Sequence, residues 1–385
     1  MAVLIQDGRR SGHLKWTREA IQRRCADGAV ISAFCTPRIP RPRQRDAGAV
    51  VEALGTAEVL FDPMTHARLL SGTNKLEDYD TWSLWGNSGV GLDTTARRLE
   101  HVERVFSRQS ELGLPRLAPT LALASARSSD ADHAVETARV ARGLDRHCYQ
   151  SLVGTVEFFA SGTDLDAHVG RLAGLRASTW VLTLVPASSP NLIADLATST
   201  VALTGWLRTI HSLSVRSRVI VQNADFLGLL ASAAGADTVG SGWDRSMKVF
   251  DASSYQLATP APRRPASYVT QRGLVAILRR SIADDIQRLD AARAQELRGG
   301  PMPSDDAHQR VHHLRVIRDL VSDIYRMRGQ EESVSVLRAI YHNALDNYAW
   351  LDSQVPGLVS ASERDAWVNY PLLTLEQYAK AEGIW

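Results

Sequence analysis

Short apolar runs recur through the first 245 residues. Each is followed by a polar turn and then by a stretch in which apolar residues return every three or four positions. The runs occupy 2–6 (AVLIQ), 29–34 (AVISAF), 58–62 (EVLFD), 120–124 (TLALA), 149–154 (YQSLVG), 180–185 (WVLTLV), 218–222 (RVIVQ) and 237–241 (DTVGS). They are continuous rather than alternating, the pattern of parallel strands buried on both faces. The stretches between them, roughly 16–26, 43–55, 93–112, 130–143, 164–175, 191–212 and 226–234, have helical period. At 94–112, for example, Leu99, Val102, Val105 and Phe106 share a face. Asp93, and Ser129 or Asp130, are candidate helix caps.

Strand-like and helical stretches that alternate in this way predict an α/β fold. Eight such units over 1–257 match a closed (β/α)8 TIM-type barrel in size. An open doubly wound sheet is the competing arrangement, but QDGRRSG after the first run lacks the glycine spacing of a dinucleotide fingerprint. Beyond residue 245 the pattern changes. A Pro- and Ala-rich stretch at 258–267 reads as a linker. From 268 every apolar period is read as helical, which predicts a helical C-terminal appendage over 258–385. Thr374 and Gln377 are read as a capping box for its last helix.

Composition adds little to this picture until charge is placed along it. The chain has 385 residues, a formal net charge of +2 and three cysteines, and no apolar run long enough to cross a bilayer. Scattered cysteines and a short apolar N-terminus lead to the expectation of a cytoplasmic protein without disulfides. Residues 1–46 hold ten Lys or Arg against four acids. In a barrel the loops after the first two strands lie on one rim. Arg9, Arg10, Lys15, Arg38, Arg41, Arg43 and Arg45 would then surround one mouth, with prolines 37, 40 and 42 stiffening the second loop. Guanidinium groups so placed suit a polyanion, so nucleic acid or a nucleotide is the candidate partner; a solvated loop paired with neighbouring acids is the alternative.

Strand ends supply candidate chemistry. Asp62 ends the third strand, and His66 follows within a turn; the two are candidates for general acid–base or nucleophilic roles. Asp225 follows the seventh strand beside Gln222 and Asn223. Asp7 ends the first strand, with an ion pair to Arg9 or Arg10 as its simplest fate. Cys35 has no activating base nearby in sequence. The long connection 67–92 reads as a lid, and Trp82 and Trp85 in it either stack on a base or pack the loop onto the barrel. His308 and His312 share a helical face, but Gln309 breaks the zinc-binding pattern, and no metal is assigned.

AAGADTVGSGW at 233–243 resembles the ending of phosphate-binding barrels, including those that hold a flavin mononucleotide. That resemblance implies an anion site at Asn223, Gly240 and Gly242, although Asp225 stands where such barrels commonly carry glycine. A basic mouth, a strand-end aspartate and an aromatic lid are also similar in layout to the tRNA-guanine transglycosylase superfamily. That resemblance implies base exchange in a polynucleotide, with Asp62 or Asp225 as acid or nucleophile and Arg38, Arg41 and Arg43 on the backbone phosphates. The superfamily's glycine-bearing aspartate motif and cysteine-rich zinc site are absent from this sequence. Two other readings stay open: a small-molecule enzyme for a phosphorylated substrate or flavin, and a catalytically inactive barrel serving as a binding or assembly subunit. The cofactor, the oligomeric state and the role of the C-terminal helices are not fixed by the sequence.

Overall fold

Eight parallel strands form one curled sheet: β1 (Ala2–Ile5), β2 (Gly28–Ser32), β3 (Glu58–Asp62), β4 (Ala122–Leu123), β5 (Gln150–Thr155), β6 (Thr179–Val185), β7 (Arg218–Gln222) and β8 (Thr238–Ser241). The computed structural model describes all residues except 9–11, 42–43, 56, 70–76, 87–90, 187–196, 198, 243, 251–266, 326–328 and 385, and gives the backbone alone at 69, 77, 245 and 246. The strand order β3-β2-β1-β8-β7-β6-β5-β4 is that of a (β/α)8 barrel with its seam between β3 and β4. A side chain bridges the seam: Thr65 Oγ1 donates to the Thr120 carbonyl and accepts from the Thr120 N–H, both at 3.0 Å.

Side-chain alternation along the strands separates two apolar layers. Leu4, Val30, Leu60, Val181 and Ile220 point inward and fill the barrel with Leu117. At the N-terminal strand ends Arg218 closes the interior, pairing with Glu58 at 2.7 Å and donating to Thr238 Oγ1 at 2.8 Å. Outward-pointing Val3, Ile5, Ile31, Phe61, Val219, Val221 and Val239 join the large cluster beneath the helices. Burying each such aliphatic or aromatic side chain contributes about 1.5–3 kcal/mol.

The barrel helices are α1 (His13–Gln22), α2 (Ala47–Leu54), α3 (Thr95–Ser110), α4 (Ser129–Leu144), α5 (Thr163–Ala173), α6 (Thr200–Ser214) and α7 (Leu227–Ala233). Their starts follow capping chemistry, one residue away from the sequence expectation in two cases. Thr94 caps α3, while Asp93 pairs with Arg97 at 2.8 Å; Ser128 caps α4. Leu99 faces outward and is 38% exposed, because the buried stripe of α3 runs through His101, Val102, Val105 and Phe106. Every residue of α7 is buried. It sits so close to β8 that a Cβ on Gly228 would lie 2.2 Å from Val239 Cγ1, so only glycine fits.

The C-terminal region begins with an element that the helical reading missed. β9 (Tyr268–Gln271) and β10 (Ala276–Arg279) pair as an antiparallel hairpin. Val269, Ile277 and Leu278 are buried there, a strand period too short to separate from a helix by sequence. The helices α8 (Arg280–Leu289), α9 (Ala291–Arg298), α10 (Asp306–Tyr325), α11 (Gln330–Gln354) and α12 (Tyr370–Glu382) follow. Thr374 lies inside α12, donating to the Tyr370 carbonyl, and is not its cap; the capping box is Ser360 with Glu363.

β8 leads into a one-turn helix, Arg245–Lys248. The wall position outside β8 and β1 is taken instead by α10, which packs on β1, α1 and α7. Arg318 ties its lower half to Asp27 at 2.6 Å. Barrel and C-terminal helices therefore share one continuous apolar cluster. Among the described residues no helix is long and apolar enough to cross a membrane.

Candidate functional site

Polar side chains at and beside the C-terminal strand ends fall into three neighbourhoods. The first is the barrel axis. Asp62 is buried at the end of β3, and its Oδ1 accepts from the Met64 N–H at 2.7 Å. Burial raises its pKa to about 6, against the pull of the Met64 N–H and of the Gln222 amide beside it. Gln6, from the end of β1, lies over Gly240; a Cβ there would stand 2.1 Å from Gln6 Nε2. Gln6 Nε2 and His66 Nε2 are buried without hydrogen-bond partners among the described residues. His66 packs its ring 5.4 Å from that of Phe250, and burial lowers its pKa to about 3, so it is a neutral imidazole. Met247 covers Gly242, leaving no room for a Cβ, and its carbonyl accepts from Asn223 Nδ2 at 3.3 Å. Asp62, His66, Asn223, Gly240 and Gly242 are thus all at the C-terminal end of the barrel, beneath side chains of the segment after β8.

The second neighbourhood lies between β7, β8 and α10. Asp225 is fully buried, and its backbone takes a left-handed φ of 45°, as does that of Asn223 at 49°. That turn carries the carboxylate away from the axis and toward the C-terminal region. His313 Nε2 stands 3.3 Å from Asp225 Oδ1, and Lys248 Nζ 3.5 Å from Oδ2. Burial opposes the charge on Asp225, but these two partners outweigh it and hold the carboxyl below its ordinary pKa. His313 Nδ1 in turn meets Thr270 Oγ1 of β9 at 2.9 Å. The cluster is sealed and bonds barrel to C-terminal region. Its neighbour His312, read from sequence as half of a histidine pair, donates from Nε2 to the Thr270 carbonyl at 3.1 Å, while His308 pairs with Asp305.

The third neighbourhood is open. A cavity of about 550 Å³ lies between α1 and α2, on the outer side of β2, within the range of small-ligand sites. Ala29, Ile31, Val50 and Leu54 form its apolar floor, and Asp7, His13, Thr36, Gln44, Arg45 and Asp78 its polar rim. Asp7 is held rigidly: Oδ2 accepts from the Ser32 N–H at 2.8 Å and Thr36 Oγ1 at 2.7 Å, and Oδ1 from the Gly8 N–H at 2.9 Å. His13, in the first turn of α1, places Nε2 3.8 Å from Asp7 Oδ1. Burial pushes the Asp7 carboxyl up, although His13 and the three donors pull it back. Burial pushes His13 below 6.5, against the pull of Asp7 and Asp244. A carboxylate and an imidazole whose pKa values approach one another, in contact at a cavity wall, can exchange and deliver a proton.

The basic residues of the second loop are engaged where they are described. Arg38 grips Glu111 with two hydrogen bonds, of 2.6 and 3.0 Å, and Arg41 meets Asp78 at 3.2 Å. Arg9, Arg10 and Arg43 lie outside the described residues. Trp82 is fully buried against Phe61, 4.4 Å between ring centroids, and donates to the Thr36 carbonyl at 2.9 Å. Trp85 stacks on His101 at 4.1 Å and donates to Tyr79 Oη at 2.9 Å. Both rings pack their loop onto the barrel wall. Cys35 borders the cavity. Of the cavity's polar residues, sequence reasoning singled out Asp7, Cys35 and Arg45 but not His13, Thr36, Gln44 or Asp78; a histidine in the first turn after a strand-end aspartate was the available signal.

No family model matches the chain, and no curated protein is similar to it in sequence. One solved structure, a probable tagatose 6 phosphate kinase from Sinorhizobium meliloti 1021, is similar over 99% of this chain and 100% of that one, at 12% identity. With a TM-score of 0.32 that likeness carries no argument about this chain.

Proposed function

We propose that this chain is a barrel enzyme that performs acid–base chemistry on the nucleoside part of a nucleotide or nucleic acid, held in the cavity between α1 and α2. One observation carries this reading: Asp7 and His13, both partly buried and 3.8 Å apart, form part of the wall of a 550 Å³ cavity. The cavity's chemistry supports the ligand class. An apolar floor accepts the face of a flat ring, while Asp7, Asp78, Thr36 and Gln44 present oxygen acceptors to ring N–H groups.

Within this reading, base exchange at the sugar carbon assigns the attacking carboxylate to Asp7, since neither Asp62 nor Asp225 lines the cavity. As the carbon–nitrogen bond breaks, an Asp7 oxygen bonds to the sugar carbon and the departing base leaves with the proton carried by His13. The incoming base reverses both events, returning its proton to His13. His13 must start protonated and Asp7 ionised. His13 loses its proton below 6.5, so the rate falls as pH rises through that region; it falls again at low pH as Asp7 takes up a proton. The optimum is therefore acidic. Incubation with isotopically labelled bases and a panel of nucleotides and oligonucleotides tests the reading. Label is expected to enter the substrate with wild type and not with Asp7→Asn. Exchange that survives Asp7→Asn, or no exchange with any member of the panel, contradicts it.

A further inference from the structure

A second concavity, of about 570 Å³, adjoins the cavity and shares Leu14 and Arg45 with it. It runs along the outer face of α1 past Lys15, Arg18, Glu19 and Gln22. Leu14 to Gln22 spans about 12 Å of helix. Many of the described arginines are answered by acids: Arg23, Arg38, Arg41, Arg97, Arg104 and Arg116, for example, each have a carboxylate within 4.0 Å. Lys15, Arg18 and Arg45 are different. Among the described residues no carboxylate lies within ion-pair distance of any of them, and all three are exposed. Glu19, the single acid in the groove, is taken by Arg23 at 2.7 Å. Three uncompensated cations therefore border a groove that opens, past Arg45, onto a cavity walled by Asp7 and His13.

We propose that this groove is an anion subsite that takes the phosphate of the ligand whose ring occupies the cavity, with Arg45 at the junction of the two. The proposal rests on the cavity reading above for the ring, but the groove's own chemistry calls only for a phosphate. It sets the phosphate on the α1 side of the barrel. The turns after β7 and β8 are a poor alternative: Asn223 and Asp225 point their side chains at Met247, Lys248 and His313, and Gly240 and Gly242 are covered by Gln6 and Met247. Free nucleotides and nucleic-acid strands present the same phosphate chemistry to such a groove, and guanidinium groups hold it by forked hydrogen bonds.

Calorimetric titration with four nucleosides, their 5′-monophosphates, inorganic pyrophosphate and a short single-stranded oligonucleotide tests the subsite. Three proteins are compared: wild type, Lys15→Ala/Arg18→Ala, which leaves the cavity rim intact, and a control of equal charge, Arg139→Ala/Arg288→Ala. Thermal melts establish that all three are folded. At least one monophosphate is expected to bind wild type about 10-fold or more tightly than its nucleoside. The groove variant should lose that increment and keep the nucleoside affinity, while the control keeps both. Oligonucleotide binding tighter than the monophosphate assigns the phosphate to a strand, and equal or weaker binding to a free nucleotide; both support the subsite. Pyrophosphate binding that the groove variant abolishes, with no nucleoside binding, upholds the groove and overturns the cavity reading. Equal binding of nucleoside and monophosphate overturns the groove alone, as does an increment that survives in the groove variant or is lost in the control. No binding by any probe overturns both.

Discussion

Asp7–His13 and Asp225–His313 are two aspartate–histidine pairs at the same end of one barrel, with similar contact distances of 3.8 and 3.3 Å. Their surroundings separate them. Asp225 is answered by Lys248 as well, its histidine is anchored by Thr270, and the cluster is sealed between β7, β8 and α10. Asp7 is oriented by three donors, yet its histidine partner shares with it the wall of a cavity. The first arrangement fixes the C-terminal region to the barrel; the second leaves its proton-bearing atoms beside space that a ligand can fill. Residue type and strand-end position do not distinguish the two pairs. Access does.

The largest test of this contrast removes the sealed side. A chain ending at residue 257 lacks α10, α11 and α12, which cover α7 and the outer faces of β8 and β1. It is expected to show no cooperative thermal transition by circular dichroism; a cooperative melt would show that the barrel is complete without them. Next, Asp225→Ala leaves Lys248 and His313 facing a void and should destabilise the protein by about 3–5 kcal/mol in denaturant titration. Asp7→Asn at the open rim should lower stability much less, because the amide oxygen still accepts from two of the donors. Comparable losses from the two substitutions would erase the distinction.

Asp62 sharpens the comparison from a third position. Its folded pKa of about 6 exceeds the ordinary 3.8, so the folded state holds a proton that the unfolded chain has released between those values. Its contribution to stability is present below pH 3.8 and is lost as pH rises through 6. Asp62→Asn should therefore raise Tm above pH 6 by about 2–4 °C, and leave it unchanged near pH 4. The smallest expected effect is at Arg38, half exposed in its pair with Glu111: Arg38→Ala should cost no more than about 1 kcal/mol. A larger loss would make that loop part of the structural side of the molecule.

The barrel was legible because its signal is local. Continuous apolar runs such as WVLTLV and RVIVQ can be buried on both faces only in a parallel sheet, and they became β6 and β7. What was illegible is decided by contacts distant in sequence. Nothing near Asp225 announces His313, 88 positions later, nor does the polar stretch around His308 show that one of its three histidines turns inward. The hairpin β9–β10 was hidden because four-residue strands carry too little periodicity to oppose a helical reading. The helix wall outside β8 has no local signal either, because α10 fills it from residue 306. Asp7 was recognisable as a strand-end acid. That His13 folds back toward it depends on how α1 leaves the strand, through Gly12 in a left-handed conformation.

The central claim is that the working site lies between α1 and α2 rather than over the barrel axis. A crystal structure with a bound nucleotide tests it most directly. The account predicts ligand density in the 550 Å³ cavity, in contact with Asp7 and His13, with its phosphate toward Arg45. Density over Gln6, Asp62 and Gln222 on the axis, with the α1–α2 cavity empty, would contradict it.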